Sequence, residues 1–295
     1  MKSSVSAVSA APSRSNDLVA LAKPRLNLLV VVSAVAGYVM ASGDTHDVWR
    51  LVSMIAGTAL VAGGASAFNQ ILERGTDALM QRTRLRPMPD GRLTTREAWM
   101  FGAALTLAGL GILAVGANLL SALVAFVTMA SYAAVYTPLK RYSSFSTVVG
   151  AIPGALPPVI GWAAALNELS QGAWVLFGIL FLWQLPHFLA IAWIYREDYA
   201  RAGFPMLPVI DRDGRSTGRQ AVVYALALLP LSLAPTLVGM AGPIYFGGAL
   251  VLSLAFVALS IRFGISRSVP DARRLFFGSI IYLPLLWMLM IANRI

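Results

Sequence analysis

Asn69, Glu73 and Asp77 stand four residues apart in the stretch AFNQILERGTDALMQRTRLRPMPDG. On a helix that spacing puts them on one face, drifting about 40° per step over about 12 Å. All three offer oxygen ligands and two are anionic. Mg²⁺ prefers such hard ligands and is usually held by one or two carboxylates together with substrate phosphates. Arg82, Arg84 and Arg86 follow, then Pro87 and Pro89. A guanidinium presents a fork of donors that matches phosphate oxygens. Carboxylates to hold a metal, with arginines to neutralise the remaining charge, are what a diphosphate requires. The plainer alternative is a helix emerging into water, with Gly75 marking where it frays. Arg84, Arg92 and Arg96 fit that alternative as ordinary loop charges.

Three further groups carry candidate chemistry. Asp198, with Tyr195 and Glu197 beside it, supplies a second acidic site. It is a single carboxylate in helical phase, because Glu197 points about 100° away. Lys140 and Arg141 in YTPLKRYS could clamp a phosphate, with Tyr136 nearby as a polar aromatic. A basic pair after a membrane span is also the commonest topology determinant. His187 lies inside a long apolar run, where histidine is rare and usually faces the protein interior. It could ligate a haem iron, act as a base, or only hydrogen-bond to a neighbouring helix. Pro186 beside it is expected to break the local helix ladder and free a carbonyl or two. The other histidine, His46, reads as an inert outer-loop residue.

The elements that must position these residues are membrane spans. Of 295 residues, 58% are hydrophobic and 12% charged, against roughly 45–50% and about 25% in a soluble domain. The mean hydropathy is +0.71. The apolar residues come in continuous blocks of about 20, which favours helices over a barrel. Spans are expected near 22–42, 48–70, 97–117, 119–137, 146–166, 171–195, 220–240, 243–262 and 275–293, after a disordered tail over residues 1–16. The absence of cysteine excludes disulfides, zinc–thiolate sites, iron–sulfur clusters and thiol catalysis. With a cytoplasmic N-terminus, 21 of the 23 basic residues fall on the inner side, leaving Arg50 and Arg294 outside. The net charge of +10 therefore reads as topology and not as a nucleic-acid surface. The connections 71–96 and 196–219 are long and rich in ionisable groups, whereas the outer loops are short. Both follow even-numbered spans, four spans apart, which hints at a weak internal repeat.

The stretches KPR at 23–25, NQILERGTDALMQRTRLRP at 69–87, YTPLKR at 136–141, WQLPHF at 183–188 and DYARAGFPMLPV at 198–209 resemble the UbiA superfamily of intramembrane aromatic prenyltransferases, nearest its haem-prenylating members. The resemblance runs from about residue 20 to the end. It implies an all-α fold, one domain over 17–295, with nine transmembrane helices around a central cavity in a bacterial inner membrane, the site facing the cytoplasm. It implies Mg²⁺ on Asn69, Glu73, Asp77 and Asp198, with Arg82, Arg86, Lys140 and Arg141 near the diphosphate and His187 a haem contact. Ile194 stands where quinone-type members carry an aspartate, which puts a second metal in doubt and matches the haem-prenylating pattern. The implied reaction is farnesyl transfer from farnesyl diphosphate to the 2-vinyl group of haem b, with addition of water. Trp183, Trp193, Tyr132, Tyr136 and Tyr195 are candidate cavity aromatics. Implied protein partners are a haem A synthase or a terminal-oxidase assembly factor. The competing readings are transfer to a quinone or chlorophyll precursor, and a haem transporter or chaperone without chemistry.

Overall fold

The computed structural model describes residues 13–43 and 47–295, and His46 lies outside them. Among the described residues, nine helices are long and apolar enough to cross a membrane. They are α1 Arg14–Ser42, α2 Val48–Leu79, α3 Thr95–Gly116, α4 Leu119–Leu139, α5 Ser146–Leu166, α6 Gln171–Ile194, α7 Arg215–Leu237, α8 Pro243–Ser266 and α9 Val269–Ala292. The only strand-like pairing among these residues is an isolated bridge between Ala241 and Arg294.

Three boundaries differ from the expected ones. Part of the expected tail is folded, because the Ser13 hydroxyl accepts the Asn16 N–H and starts a helix at Arg14. That helix turns at Lys23, whose φ of 49° is left-handed, and resumes at Pro24. The second difference is at α2, which runs to Leu79 without fraying at Gly75. The third is α6, which passes through Pro186 unbroken. In α2 the carboxylates past position 70, Glu73 and Asp77, are buried and each is paired with a cation from another segment, so the helix gains nothing by opening to water.

Small residues let the helices approach closely, as membrane packing favours. α2 lies on α3 through Gly57, Gly64, Gly102 and Gly109, and a Cβ on Gly57 would stand 2.8 Å from the Gly109 carbonyl oxygen. α1 lies on the second half of α5, where a Cβ on Gly161 would run into the Ala34 carbonyl. α6 packs against α5, α7 and α9, and α9 also touches α1, so the two halves of the chain meet along α6. Many large apolar side chains face outward, Val115, Leu107 and Ile265 among them. At the end away from the charged connections, the guanidinium of Arg50 donates to the Ala165 carbonyl and that of Arg294 to Val39. These two cations satisfy helix carbonyls that would otherwise have no partner.

Candidate active site

α2 delivers the three oxygen-bearing residues as one buried line. Asn69, Glu73 and Asp77 are 2%, 5% and 0% exposed. Each is met by a cation or polar group from another segment. The Asn69 Oδ1 accepts from Lys23 Nζ at 3.2 Å, and its amide donates to Thr137 Oγ1 at 3.2 Å. The Glu73 carboxylate pairs with Lys140 at 2.8 Å, and Asp77 Oδ2 pairs with Arg86 at 2.8 Å. Asp77 Oδ1 is buried without a hydrogen-bond partner. A buried carboxylate oxygen left in that state costs free energy unless something completes it.

The cations are brought in by specific local structure. The left-handed turn at Lys23 is fixed from both sides: the Gln70 amide donates to the Leu21 carbonyl at 2.7 Å and that of Asn27 to Ala22 at 2.6 Å. Leu21 is packed with Met88 and Leu93, which tethers the start of α1 to the arginine-bearing connection. Arg92 strengthens that tether by pairing with buried Asp17 at 2.7 Å. The Thr83 hydroxyl donates to the Asp77 carbonyl at 2.8 Å, turning the chain back so that Arg86 reaches Asp77. The end of α4 widens into a π-helical turn over Ser131–Tyr136. Such turns change register and often mark functional sites. Here the turn lets Thr137 and Lys140 face α2, with the ammonium 4.5 Å from the centre of the Tyr136 ring. Burial pulls Lys140 toward its neutral form, but Tyr136 and the Glu73 carboxylate outweigh this and hold its pKa well above the ordinary lysine value. Lys140 therefore remains a cation.

Asp198 approaches from the second connection, on the short helix Arg196–Arg201. It accepts the backbone N–H groups of Gln81 and Arg82, each at 3.4 Å, and pairs with Arg201. The second acidic residue is thus bound to the chain only four residues past Asp77. Arg82 does not reach a carboxylate, and its guanidinium lies over the Tyr195 ring at 5.2 Å. Arg141 is directed away from the line and donates to the Leu72 carbonyl at 2.6 Å. His187 Nδ1 is 2.7 Å from Ser279 Oγ on α9, and its ring stacks on Trp183 and lies against Phe276. The Trp183 indole donates to the Ser279 carbonyl at 2.9 Å. Tyr132 and Tyr136 lie against each other with their rings tilted by 37° and centres 5.4 Å apart, near Lys140, while Trp193 is buried beneath Arg196.

Sequence reasoning missed Lys23 and Thr137 as parts of this cluster. The Lys-Pro pair was a local signal for a turn before a helix, but nothing local pointed to Asn69 as its partner. Among the described residues no three carboxylate or imidazole groups converge into a closed metal cage. The line leaves Asp77 Oδ1 unpartnered, and its hard-oxygen donors are of the kind that share a metal with a bound phosphate.

The chain belongs to the UbiA prenyltransferase family, which matches residues 30–283. Its curated relatives narrow this. Protoheme IX farnesyltransferase of Solibacter usitatus is 49% identical over 287 residues, covering 94% of this chain and 98% of that protein. The proteins of the same name from Koribacter versatilis and Myxococcus xanthus are each 42% identical, over 94% and 96% of this chain and 93% and 96% of theirs. Among solved structures, one of a digeranylgeranylglyceryl phosphate synthase superposes with a TM-score of 0.79 at 16% identity, over 94% of this chain and 97% of that one. A UbiA homologue from Archaeoglobus fulgidus bound to GPP and Mg²⁺ superposes with a TM-score of 0.63 at 15% identity, over 93% and 99%. These two likenesses establish the fold.

Proposed function

We propose that this chain transfers the farnesyl group of farnesyl diphosphate to a vinyl group of haem b, with addition of water, at the cytoplasmic face of a bacterial inner membrane. The observation that carries this reading is the buried Asn69–Glu73–Asp77 line, facing Lys23, Arg86 and Lys140, in a chain whose relatives bear the name protoheme IX farnesyltransferase. Asn69, Glu73 and Asp77 would hold Mg²⁺, and Asp198 would complete the set. The unpartnered Asp77 Oδ1 and the hard-oxygen donor set fit that ion. When bound, it would neutralise charge on the diphosphate as a Lewis acid.

The chain's own residues do the rest. Arg86 and Lys140 supply fixed positive charge where the diphosphate accumulates negative charge, which is the largest usual source of catalysis at such sites, and the Lys23 amine adds a donor beside Asn69. The C1–O bond of the farnesyl donor breaks with its electron pair going to the diphosphate. The vinyl terminal carbon then bonds to C1, and water adds to the porphyrin-side cation and loses a proton. The faces of Tyr132 and Tyr136, beside Lys140 and Glu73, stabilise allylic positive charge. Apolar walls keep water from that cation until the carbon–carbon bond has formed. His187 is proposed as a haem contact. Ser279 Oγ donates its single proton to the Phe276 carbonyl at 2.6 Å, so it accepts from His187 Nδ1. This leaves the Nε2 lone pair for a ligand.

The test is to incubate the purified protein with haem b, farnesyl diphosphate and Mg²⁺ and to analyse the product by mass spectrometry. A haem heavier by farnesyl plus hydroxyl, absent after chelation with EDTA, is the expected result. Normal haem binding without such a product would defeat the proposal and direct attention to another acceptor.

A further inference from the structure

A cleft of about 610 Å³ opens beside the candidate active site, lined by Arg82, Ile194, Tyr195, Arg196, Arg201 and Val269, together with Asp198 and Glu197. That volume lies within the ~300–1,000 Å³ typical of sites for mid-sized organic ligands. Its charge is lopsided. Three guanidiniums face two carboxylates, and one of those, Asp198, is already paired with Arg201. Arg82 and Arg196 have no carboxylate partner among the described residues, and each guanidinium lies over an aromatic ring, 5.2 Å from the centre of Tyr195 and 4.7 Å from that of Trp193 respectively. A guanidinium held over a ring face by cation–π attraction keeps N–H groups for carboxylate oxygens.

The cleft also has a direction. Ile194 and His187 are seven residues apart on α6, and Val269 and Phe276 are seven apart on α9. Seven residues bring a helix back to nearly the same face about 10 Å further along. The two helices therefore form a seam that starts at the cleft and descends to His187, where Phe276 meets the imidazole at 5.1 Å. Arginines sit at the top of the seam, apolar and aromatic side chains along it, and one imidazole with a free nitrogen at depth. That distance is comparable with the one from the centre of a porphyrin to the ends of its propionate arms.

On the reading that haem is the acceptor, we infer that this cleft is the acceptor's carboxylate subsite. Arg196, with Arg82, binds the two propionates, and the macrocycle lies edge-down in the seam between α6 and α9, toward His187. The donor's diphosphate occupies the adjoining Lys23–Arg86–Lys140 cluster, with Asp198 at the boundary between the two. Haem thus enters with its anionic edge toward the charged connections, which presents a vinyl edge to the interior.

The experiment compares haem b with its dimethyl ester, whose propionates carry no charge. Binding is read by optical titration of the full chain in detergent, without farnesyl diphosphate or metal. Wild-type protein is expected to bind the ester at least about tenfold more weakly than the free acid, the loss expected for one hydrogen bond between charged groups. Arg196→Gln should bind haem b about tenfold more weakly, lose the preference for acid over ester, and leave the KM for farnesyl diphosphate within about twofold. Arg196→Lys should recover part of the preference. Val269→Trp, which fills the cleft mouth, should weaken both porphyrins equally. Equal affinity of wild-type protein for acid and ester overturns the inference without recourse to any variant. So does an Arg196→Gln protein whose KM rises for farnesyl diphosphate while haem binding is unchanged, since the cleft would then belong to the donor. If the ester is discriminated and Arg196 is responsible, but no farnesylated haem forms, the cleft stands and the proposed reaction falls.

Discussion

Asp77→Asn tests the site most directly, because the substitution keeps the shape of the side chain and removes only its charge. In the structure one oxygen of Asp77 holds Arg86 at 2.8 Å and the other has no partner. The amide still accepts from Arg86 but presents a neutral group to a metal. Breaking a fully buried ion pair costs about 3–5 kcal/mol. Arg86 keeps 27% of its side-chain surface, so the stability loss should be nearer the ~1.5–3 kcal/mol of a charged hydrogen bond. The activity loss should be larger in proportion, about 10²–10³-fold or more, because a charge-stabilising group is lost at the point of bond cleavage. The assay is turnover of haem b and farnesyl diphosphate, alongside the unfolding midpoint in detergent and an optical haem titration. Haem affinity should be unchanged and the protein folded at the assay temperature. Asp77→Asn combined with Arg86→Gln should lose less than the product of the two single effects, since the residues share one bond. Retention of more than about a tenth of wild-type turnover, or a haem affinity that falls in step with turnover, would refute the assignment of Asp77 to the donor's side of the reaction.

Other substitutions separate neighbours that look alike in sequence. Lys140→Gln should raise the KM for farnesyl diphosphate and lower kcat/KM by about 10²-fold, whereas Arg141→Gln, whose guanidinium serves the Leu72 carbonyl, should leave both within about threefold. Gly161→Ala forces a Cβ into the Ala34 carbonyl and should cost at least about 1–3 kcal/mol. Gly75→Ala meets nothing within 4 Å and should stabilise α2 by about 0.5–1 kcal/mol with turnover unchanged, both read as shifts in the unfolding midpoint. Asp211 precedes α7 and accepts the Thr217 N–H at 2.6 Å and its hydroxyl at 2.8 Å. Partial burial raises its pKa, but the Thr217 bonds outweigh it and hold the carboxyl below its ordinary value. Its contribution is therefore complete above the unfolded value of about 4 and is lost as pH falls through the lower folded value. Asp211→Ala should cost about 1 kcal/mol at neutral pH, and the gap to wild type in unfolding midpoint should close only in acid.

What could be read ahead of the structure follows from the range over which each signal acts. The Asn69–Glu73–Asp77 line was legible because helical period alone puts i, i+4 and i+8 on one face. Hydropathy, however, ends the second span near residue 70, where the charges begin. The helix continues to Leu79 because Lys140 and Arg86 satisfy Glu73 and Asp77 from 67 and nine residues away, and a hydropathy window contains no such partners. Counting loops sets Arg50 and Arg294 apart from the other cations, but their use, closing the carbonyl ends of α5 and α1, depends on which helices neighbour them. Lys140 and Arg141 are adjacent and chemically similar. Only the π-helical turn over Ser131–Tyr136 decides that the first enters the cluster and the second does not. The same holds for Arg82 and Arg86, one helical turn apart in the connection after α2 and equivalent on paper. The fold sends Arg86 to Asp77 and Arg82 over the Tyr195 ring. Four cations expected to share one diphosphate are thereby divided: Lys140 and Arg86 face the α2 carboxylates, Arg82 faces the cleft beneath α9, and Arg141 faces neither. A transferase joining two anionic substrates needs such a division, since cations gathered around one substrate would leave the carboxylates of the other without a counter-charge as they leave water.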